Sequence, residues 1–337
     1  MTPMLAPLVG EAAAVTFIGL CKNAGKTTAM CRLMEELSGE TLALTSVGRD
    51  GERTDVVTGT EKPELWVPSG TLFATARGML PLCDVTLRVE GVTGVMTPLG
   101  EVGVFRALSD GFVQLAGPSA VGQLGPLSRT FRALGARRVL IDGAAGRRSL
   151  AGAEAGAAAI LCAGASMEGG IPAIAAETAH VCKLFAAPEP EPPALRAALA
   201  GETERYALFR PGGERLPLAL EPGGQPVWQS LPREDCVLWV GGGVTSALLR
   251  TLARRGAPIA VAAPDATHFL CDRTSAETFF RCGGRLLAAR RLRIAAVAAN
   301  PWSAYGRHLD GPALAAALRA AVDVPVVDVG QGDTPRT

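Results

Sequence analysis

The sequence predicts an α/β fold: a parallel β-sheet carrying inserted antiparallel strands, followed by a smaller C-terminal α/β domain. Three observations predict it. The apolar, β-favouring run Val15-Thr16-Phe17-Ile18-Gly19 passes through a short loop into Gly25-Lys26-Thr27-Thr28 and then the helical pattern of Met30 to Leu37. A second apolar run, Arg138-Val139-Leu140-Ile141, ends in an acid, Asp142. From Val237 onward, strand and helix patterns alternate again, which is the signature of a small parallel sheet.

The first run has the spacing of a phosphate-binding P-loop, a strand, a loop and a helix N-terminus in succession. A tight loop turns successive backbone N–H groups onto phosphate oxygens, and the helix start adds its positive dipole end. On that reading, the backbone from Asn23 through Ala24, Gly25, Lys26, Thr27 and Thr28 cradles phosphate. Lys26 reaches the β- and γ-phosphates, and the Thr27 hydroxyl ligates Mg²⁺. The sequence departs from G-x-x-x-x-G-K-[ST] at one position: Leu20 stands where the first glycine belongs, and the nearest glycine is Gly19. Lys22 sits four residues before Lys26, which is not the spacing of P-loops that carry a second signature lysine. The plainer alternative is a coincidental Gly-Lys-Thr at a helix start.

The acid-ending strand supplies the second element such a site needs. Asp142 holds Mg²⁺ opposite Thr27, usually through water, and Gly143-Ala144-Ala145-Gly146 makes a small-residue turn. The alternative is an ordinary Asp-Gly turn after a buried strand. Between these elements, the predicted strand Leu42 to Leu44 leads into Thr45-Ser46-Val47-Gly48-Arg49-Asp50-Gly51-Glu52-Arg53-Thr54-Asp55. A polar loop in this place can orient water or sense a γ-phosphate. Asp50 is the candidate catalytic group there and Glu52 the candidate metal ligand, with Asp55 beside them. A solvated loop is the alternative.

The later elements follow from the punctuation. Val85, Leu87 and Val89 alternate with polar residues, and the runs at Val95-Met96-Thr97 and Val102 to Phe105 flank Pro98-Leu99-Gly100. This predicts antiparallel strands inserted at an edge. Residues 119–135 read as helix, Ala157 to Cys162 as a buried strand and Ile171 to Phe185 as helix. Proline-rich stretches from Ala187 to Pro193 and from Pro211 to Pro232 predict a linker. The expected division is a P-loop domain over 1–186, a linker over 187–233 and a small α/β domain over 234–337. In that last domain Gly241-Gly242-Gly243 follows a strand, but a dinucleotide fingerprint would place its third glycine at Ser246, so a tight strand-to-helix turn is expected. Arg285, Arg290, Arg291 and Arg293 are read as a solvated helix face in preference to an anion site.

Length and composition set the frame. The chain has 337 residues, room for two domains, and a net charge of +1 that gives no electrostatic case for nucleic acid or an anionic membrane. No basic, apolar leader opens it, and charges and glycines interrupt every apolar run before a membrane span is reached. The eight cysteines form no C-x-x-C pair and read as reduced core residues of a cytoplasmic protein, with Cys21 exposed to oxidation inside the loop. His180, His268 and His308 have no ligand spacing and are expected to be structural or surface residues.

Several stretches together resemble the smaller, P-loop subunit of the lysine 5,6-aminomutase reactivase. They are Lys22 to Thr28, Leu44 to Glu52, Pro68-Ser69-Gly70-Thr71, Thr97 to Val102 and Ala116-Gly117-Pro118-Ser119. Ile141 to Ala144, Arg147-Arg148-Ser149, Ala163-Gly164-Ala165 and Asn300-Pro301 complete the set. Ala298-Ala299 before Asn300 departs from the polar lead-in expected of that family. The resemblance implies an ATP- and Mg²⁺-dependent factor, a weak ATPase alone. It would act with a MutS-like ATPase subunit to restore a lysine or ornithine aminomutase whose cobalamin is damaged. The loop at Lys26 and the Asp142 turn are also similar to dethiobiotin synthetase and cobyrinate-amidating enzymes. That similarity implies an alternative, an ATP-dependent ligase of small carboxylates. A GTPase chaperone of another cobalamin enzyme is the third reading, although no guanine-specifying N-K-x-D occurs. No Cys/His pair suited to an amidotransferase stands in residues 234–337.

Overall fold

The computed structural model describes residues 4–47, 65–143 and 157–330. Asp50, Glu52 and Asp55 lie outside the described residues, as does the turn from Ala144. The chain forms two compact units, residues 1–179 with 293–337 and residues 180–292.

The first unit runs through α1 (Ala6–Val9), β1 (Ala14–Gly19), α2 (Lys26–Glu36), β2 (Leu42–Ser46), β3 (Leu65–Val67) and β4 (Leu72–Ala76). It continues with β5 (Leu87–Thr97), β6 (Gly100–Ala107), β7 (Gly111–Val113), α3 (Leu124–Ala133), β8 (Arg138–Asp142), β9 (Ala158–Gly164) and α4 (Gly170–Phe185), within which the division falls. The second unit adds α5 (Pro193–Ala200), β10 (Tyr206–Phe209), β11 (Arg215–Leu216), β12 (Val237–Val240) and β13 (Val244–Thr245). It then forms α6 (Ser246–Ala253), β14 (Ala260–Asp265), β15 (Phe269–Leu270), α7 (Arg273–Arg281) and β16 (Arg285–Arg290). The chain returns to the first unit with β17 (Arg293–Asn300), α8 (Gly311–Ala321) and β18 (Val326–Asp328).

The first unit is a nine-stranded sheet in the order β18-β17-β9-β1-β8-β2-β4-β6-β5. From β18 to β4 every neighbouring pair is parallel, and β6 and β5 close the edge antiparallel. The fold is therefore mixed α/β with a large, mostly parallel sheet, and the inserted antiparallel strands lie at its edge as expected. The central strands are buried on both faces, which is why they read as continuous apolar runs. Val15, Phe17, Leu44 and Leu140 pack with Met30 and Leu33 of α2, while Ala43, Val139 and Ile141 pack with Leu127 and Phe131 of α3. One face of each strand thus belongs to each helix.

The second unit has a five-stranded sheet in the order β11-β10-β12-β14-β16, with β12, β14 and β16 parallel. Two sequence expectations change here. The proline-rich stretch over 187–233 is not a free linker: α5, β10 and β11 form in it, and Leu195, Leu199 and Phe209 pack into this unit's core. The stretch 234–337 is also not one domain, because β17 pairs with β9, and β18 with β17, in the first sheet. Local strand and helix patterns cannot show which sheet a strand joins. Arg285 and Arg290 lie at the two ends of strand β16, and Arg293 opens β17, so they do not form a helix face.

Strand β8 is anchored at its start by Arg138, only 5% exposed. Its Nε and Nη2 meet the Glu40 carboxylate at 2.6 and 3.1 Å, and Nη1 donates to the carbonyls of Gly10 and Ala12. Arg138→Met is expected to cost about 2–4 kcal/mol, since it removes the close contacts to Glu40, leaving only Arg137 at 3.8 Å among the described residues, and leaves two carbonyls unmet. Urea unfolding of the two proteins measures this; equal midpoints would show that the cluster contributes nothing.

Candidate functional site

The loop of residues 20–25 leaves the C-terminal end of β1. Sheet order places this strand at a switch point: the next strand in sequence, β2, lies beyond β8 on one side, and β9, β17 and β18 build out the other. Ligands of open parallel sheets bind outside the strand C-termini at such points. The Leu20 N–H is tied to the Cys162 carbonyl at 3.1 Å, which fixes where the loop begins. Asn23 (φ 57°) and Gly25 (φ 95°) take left-handed conformations, a backbone geometry that gathers N–H groups onto a concave face. Gly25 is the N-cap of α2, and no side chain caps that helix start, which leaves its first N–H groups without a side-chain partner.

Gly25 has a second reason to be glycine. A Cβ there would stand 2.6 Å from both Cβ and Nδ2 of Asn300. Gly19 also has a tertiary role, since a Cβ would meet the Cys21 carbonyl at 3.0 Å and the Lys26 stem at 3.3 Å. The close approach of Lys26 falls on Gly19, one residue before the position the general motif specifies.

The Lys26 charge acts on Asp142 and on the thiols of Cys21 and Cys162, opposing the rise in pKa that burial causes in each. Asp142 ends β8, beside β1, with Asp142 paired to Phe17. Its Oδ1 is shut off from solvent and has no hydrogen-bond partner among the described residues. Burial pushes its pKa up, and the Lys26 charge opposes the shift without cancelling it. An unsatisfied buried carboxylate oxygen is costly unless a ligand meets it. Next to it, Gly143 donates to the Phe17 carbonyl at 3.1 Å, and a Cβ on Gly143 would stand 2.6 Å from that same oxygen. Thr27 is half-buried in the first turn of α2. Thr27 and Asp142 fit a hard cation, which takes oxygen ligands, and the orphaned Oδ1 is the observation that favours one. Among the described residues no group of three or more His, Cys, Asp or Glu could hold a metal ion by itself.

The structure adds a wall the motif reading missed. After β17, residues 300–309 fold back on themselves beside the loop, with Ser303 N–H donating to the Arg307 carbonyl at 3.0 Å and Leu309 N–H to the Pro301 carbonyl at 3.0 Å. Ser166 Oγ donates to the Asn23 carbonyl at 2.9 Å and lies 3.1 Å from Ser303 Oγ. Asn23 Nδ2 donates to Tyr305 Oη at 3.4 Å. Asn300 Oδ1 accepts the Trp302 N–H at 3.2 Å. The sequence signal for this wall was Asn300-Pro301 at the end of an apolar strand; nothing local pointed to Ser166 or Tyr305.

The other candidates sort simply. Gly241 to Gly243 lead into β13, and Thr245 caps α6 by accepting the Leu248 N–H at 3.3 Å, so that helix start is filled by its own side chain. This agrees with a tight turn. All eight cysteines are free thiols; Cys162, Cys236 and Cys271 are core residues and Cys282 is exposed. Burial raises the Cys21 pKa against the Lys26 charge, which keeps the thiol protonated and less reactive than its place in the loop suggested. Among the described residues no helix is long and apolar enough to cross a membrane. Comparison with family models, curated proteins and solved structures returned no match to this chain.

Proposed function

We infer that the chain binds ATP·Mg²⁺ through a P-loop between β1 and α2, and serves as an ATP-dependent reactivating factor for a B12-dependent lysine or ornithine aminomutase. One observation carries the nucleotide reading: an uncapped helix start and a loop with left-handed residues present Lys26, whose charge acts on Asp142, and the buried Oδ1 of Asp142 has no hydrogen-bond partner among the described residues. The backbone of Asn23 to Thr28 would hold phosphate oxygens, and Lys26 would neutralise the β- and γ-phosphates. Thr27 and Asp142 would hold Mg²⁺, which when bound supplies charge neutralisation between the phosphates and Asp142. The reactivating role and the MutS-like ATPase partner rest on the sequence resemblance at Lys22 to Thr28 and its companion stretches.

Lys26→Ala should weaken ATP·Mg²⁺ binding by about 1.5–3 kcal/mol, roughly 10- to 150-fold, the cost of losing one charge-assisted contact. Calorimetric titration of both proteins decides it, and equal affinities would remove the assignment. Phosphate release, measured alone and then with a MutS-like subunit and inactivated aminomutase, tests the role. Stimulation by the partners supports reactivation. Fast turnover without them, coupled to a small carboxylate, would replace it with the ligase reading.

A further inference from the structure

In the second unit the parallel strands β12, β14 and β16 end side by side, and their register pairs Asp265 with Arg290. Asp265 is 2% exposed, so its carboxylate has to be met by donors. Oδ1 accepts the Thr267 N–H at 3.0 Å, the Thr267 hydroxyl, and Nδ1 of His268 at 3.1 Å. Oδ2 accepts Nη2 of Arg290 at 3.0 Å. Burial alone would raise this carboxyl's pKa, but hydrogen bonds from His268 and Thr267, the His268 charge and the Arg290 contact outweigh it and hold the value at about 2.

An ionised acceptor at Nδ1 assigns the ring proton to that nitrogen, so Nε2 is the free edge of His268. Among the described residues, neither Nε2 of His268 nor Nη1 of Arg290 has a hydrogen-bond partner. The His268 side chain is 24% exposed and that of Arg290 50%. The Thr267 hydrogen bonds alone would fasten this turn. The carboxylate additionally holds an arginine from the next strand and an imidazole together, each with its free edge available.

We propose that His268 and Arg290 form a seat for a small anionic group, a phosphoryl or a carboxylate, at the C-terminal edge of the second unit's parallel sheet. The place is where α/β sheets bind ligands. The remaining guanidinium N–H groups of Arg290 present a planar fork that matches two oxygens of such a group, and Nε2 of His268 supplies a further donor once the ring takes up a second proton beside the bound anion. Asp265 offsets the charge, so the two groups stand together in the absence of a ligand. This seat belongs to the second unit alone and does not depend on nucleotide binding in the first.

The test follows the His268 ring by ¹⁵N–¹H correlation in the full chain, at one fixed pH held across all titrations. Loss of its signals in His268→Gln distinguishes it from His180 and His308. Lys26→Ala is the background, so that a phosphate response of the first unit is suppressed. Inorganic phosphate, acetate and chloride are titrated separately at constant ionic strength. The expected result is a saturable shift of His268 Nε2 with phosphate, weakened about tenfold in Arg290→Gln and less in Arg290→Lys, which keeps the charge but loses the fork. A response to phosphate alone marks a phosphorylated ligand, and an equal response to acetate marks a carboxylate. No shift, a shift that chloride reproduces, or one unchanged in a folded Arg290→Gln protein would overturn the proposal and leave the cluster as a turn fastener.

Discussion

Gly25→Ala is expected to abolish ATP binding and to destabilise the first unit. Two separate costs combine. An alanine at φ 95° is held in a region L-residues rarely adopt, at about 1–3 kcal/mol. Its Cβ would also fall 2.6 Å from Cβ and Nδ2 of Asn300, and forcing atoms into a packed site costs about another 1–3 kcal/mol. Moving either wall displaces the loop that gathers the N–H groups, so binding should fall with stability. The two costs can be separated. Asn300→Gly in the Gly25→Ala background removes the clash and leaves the backbone strain, so it should restore part of the lost stability and none of the strain component. Chemical unfolding of the four proteins of this cycle, with ATP titrations of each, provides the measurement. A Gly25→Ala protein with wild-type stability and affinity would mean that the Asn300 wall does not constrain the loop.

Asp142→Asn should make the ligand-free protein more stable while removing the Mg²⁺ dependence of ATP binding. The Asp142 Oδ1 is buried with no hydrogen-bond partner among the described residues, and leaving such a group unsatisfied costs about 1–3 kcal/mol. Because burial raises the folded-state pKa above its unfolded value, the folded protein binds the extra proton more readily. Stability contributed by the protonated form is therefore present at low pH and is lost as pH rises through the raised pKa. The asparagine variant has no such titration, so the difference between the two proteins should widen from acid toward neutral pH. With Mg²⁺ and ATP present the difference should shrink or reverse, because the proposed Mg²⁺ contact of Asp142 would add stability to the aspartate protein alone. Melting curves with and without Mg·ATP at several pH values would test both halves. If Asp142→Asn destabilises the ligand-free protein at neutral pH, then Asp142 is satisfied by a group not identified among its neighbours, and the metal reading loses its support.

Some of the architecture was legible from local chemistry. The strand Ala14–Gly19, the helix from Lys26, the strand ending at Asp142 and the strand over Ala158–Gly164 follow from buried apolar runs and the residues that end them. These elements are defined within a few residues of themselves, and their burial on both faces makes them conspicuous in sequence. The short strands β3 and β4 were not legible, and neither were β10 or β11, nor α5 within a proline-rich stretch. β3 and β11 are too short for a periodic pattern to be distinctive, and α5 and β10 lie among prolines and glycines that read as loop.

By itself the sequence determined that a parallel sheet carries Gly25-Lys26-Thr27 at the end of one strand and Asp142 at the end of another. Apolar runs, a glycine and an acid are properties of single segments. Only the tertiary structure decided that β17 and β18 return to the first sheet, that Asn300 and Tyr305 wall the loop, and that Asp265 joins His268 to Arg290. A strand's apolar pattern is the same whichever sheet it enters. Its partners are chosen by pairing and packing across more than a hundred residues of intervening chain between β9 and β17.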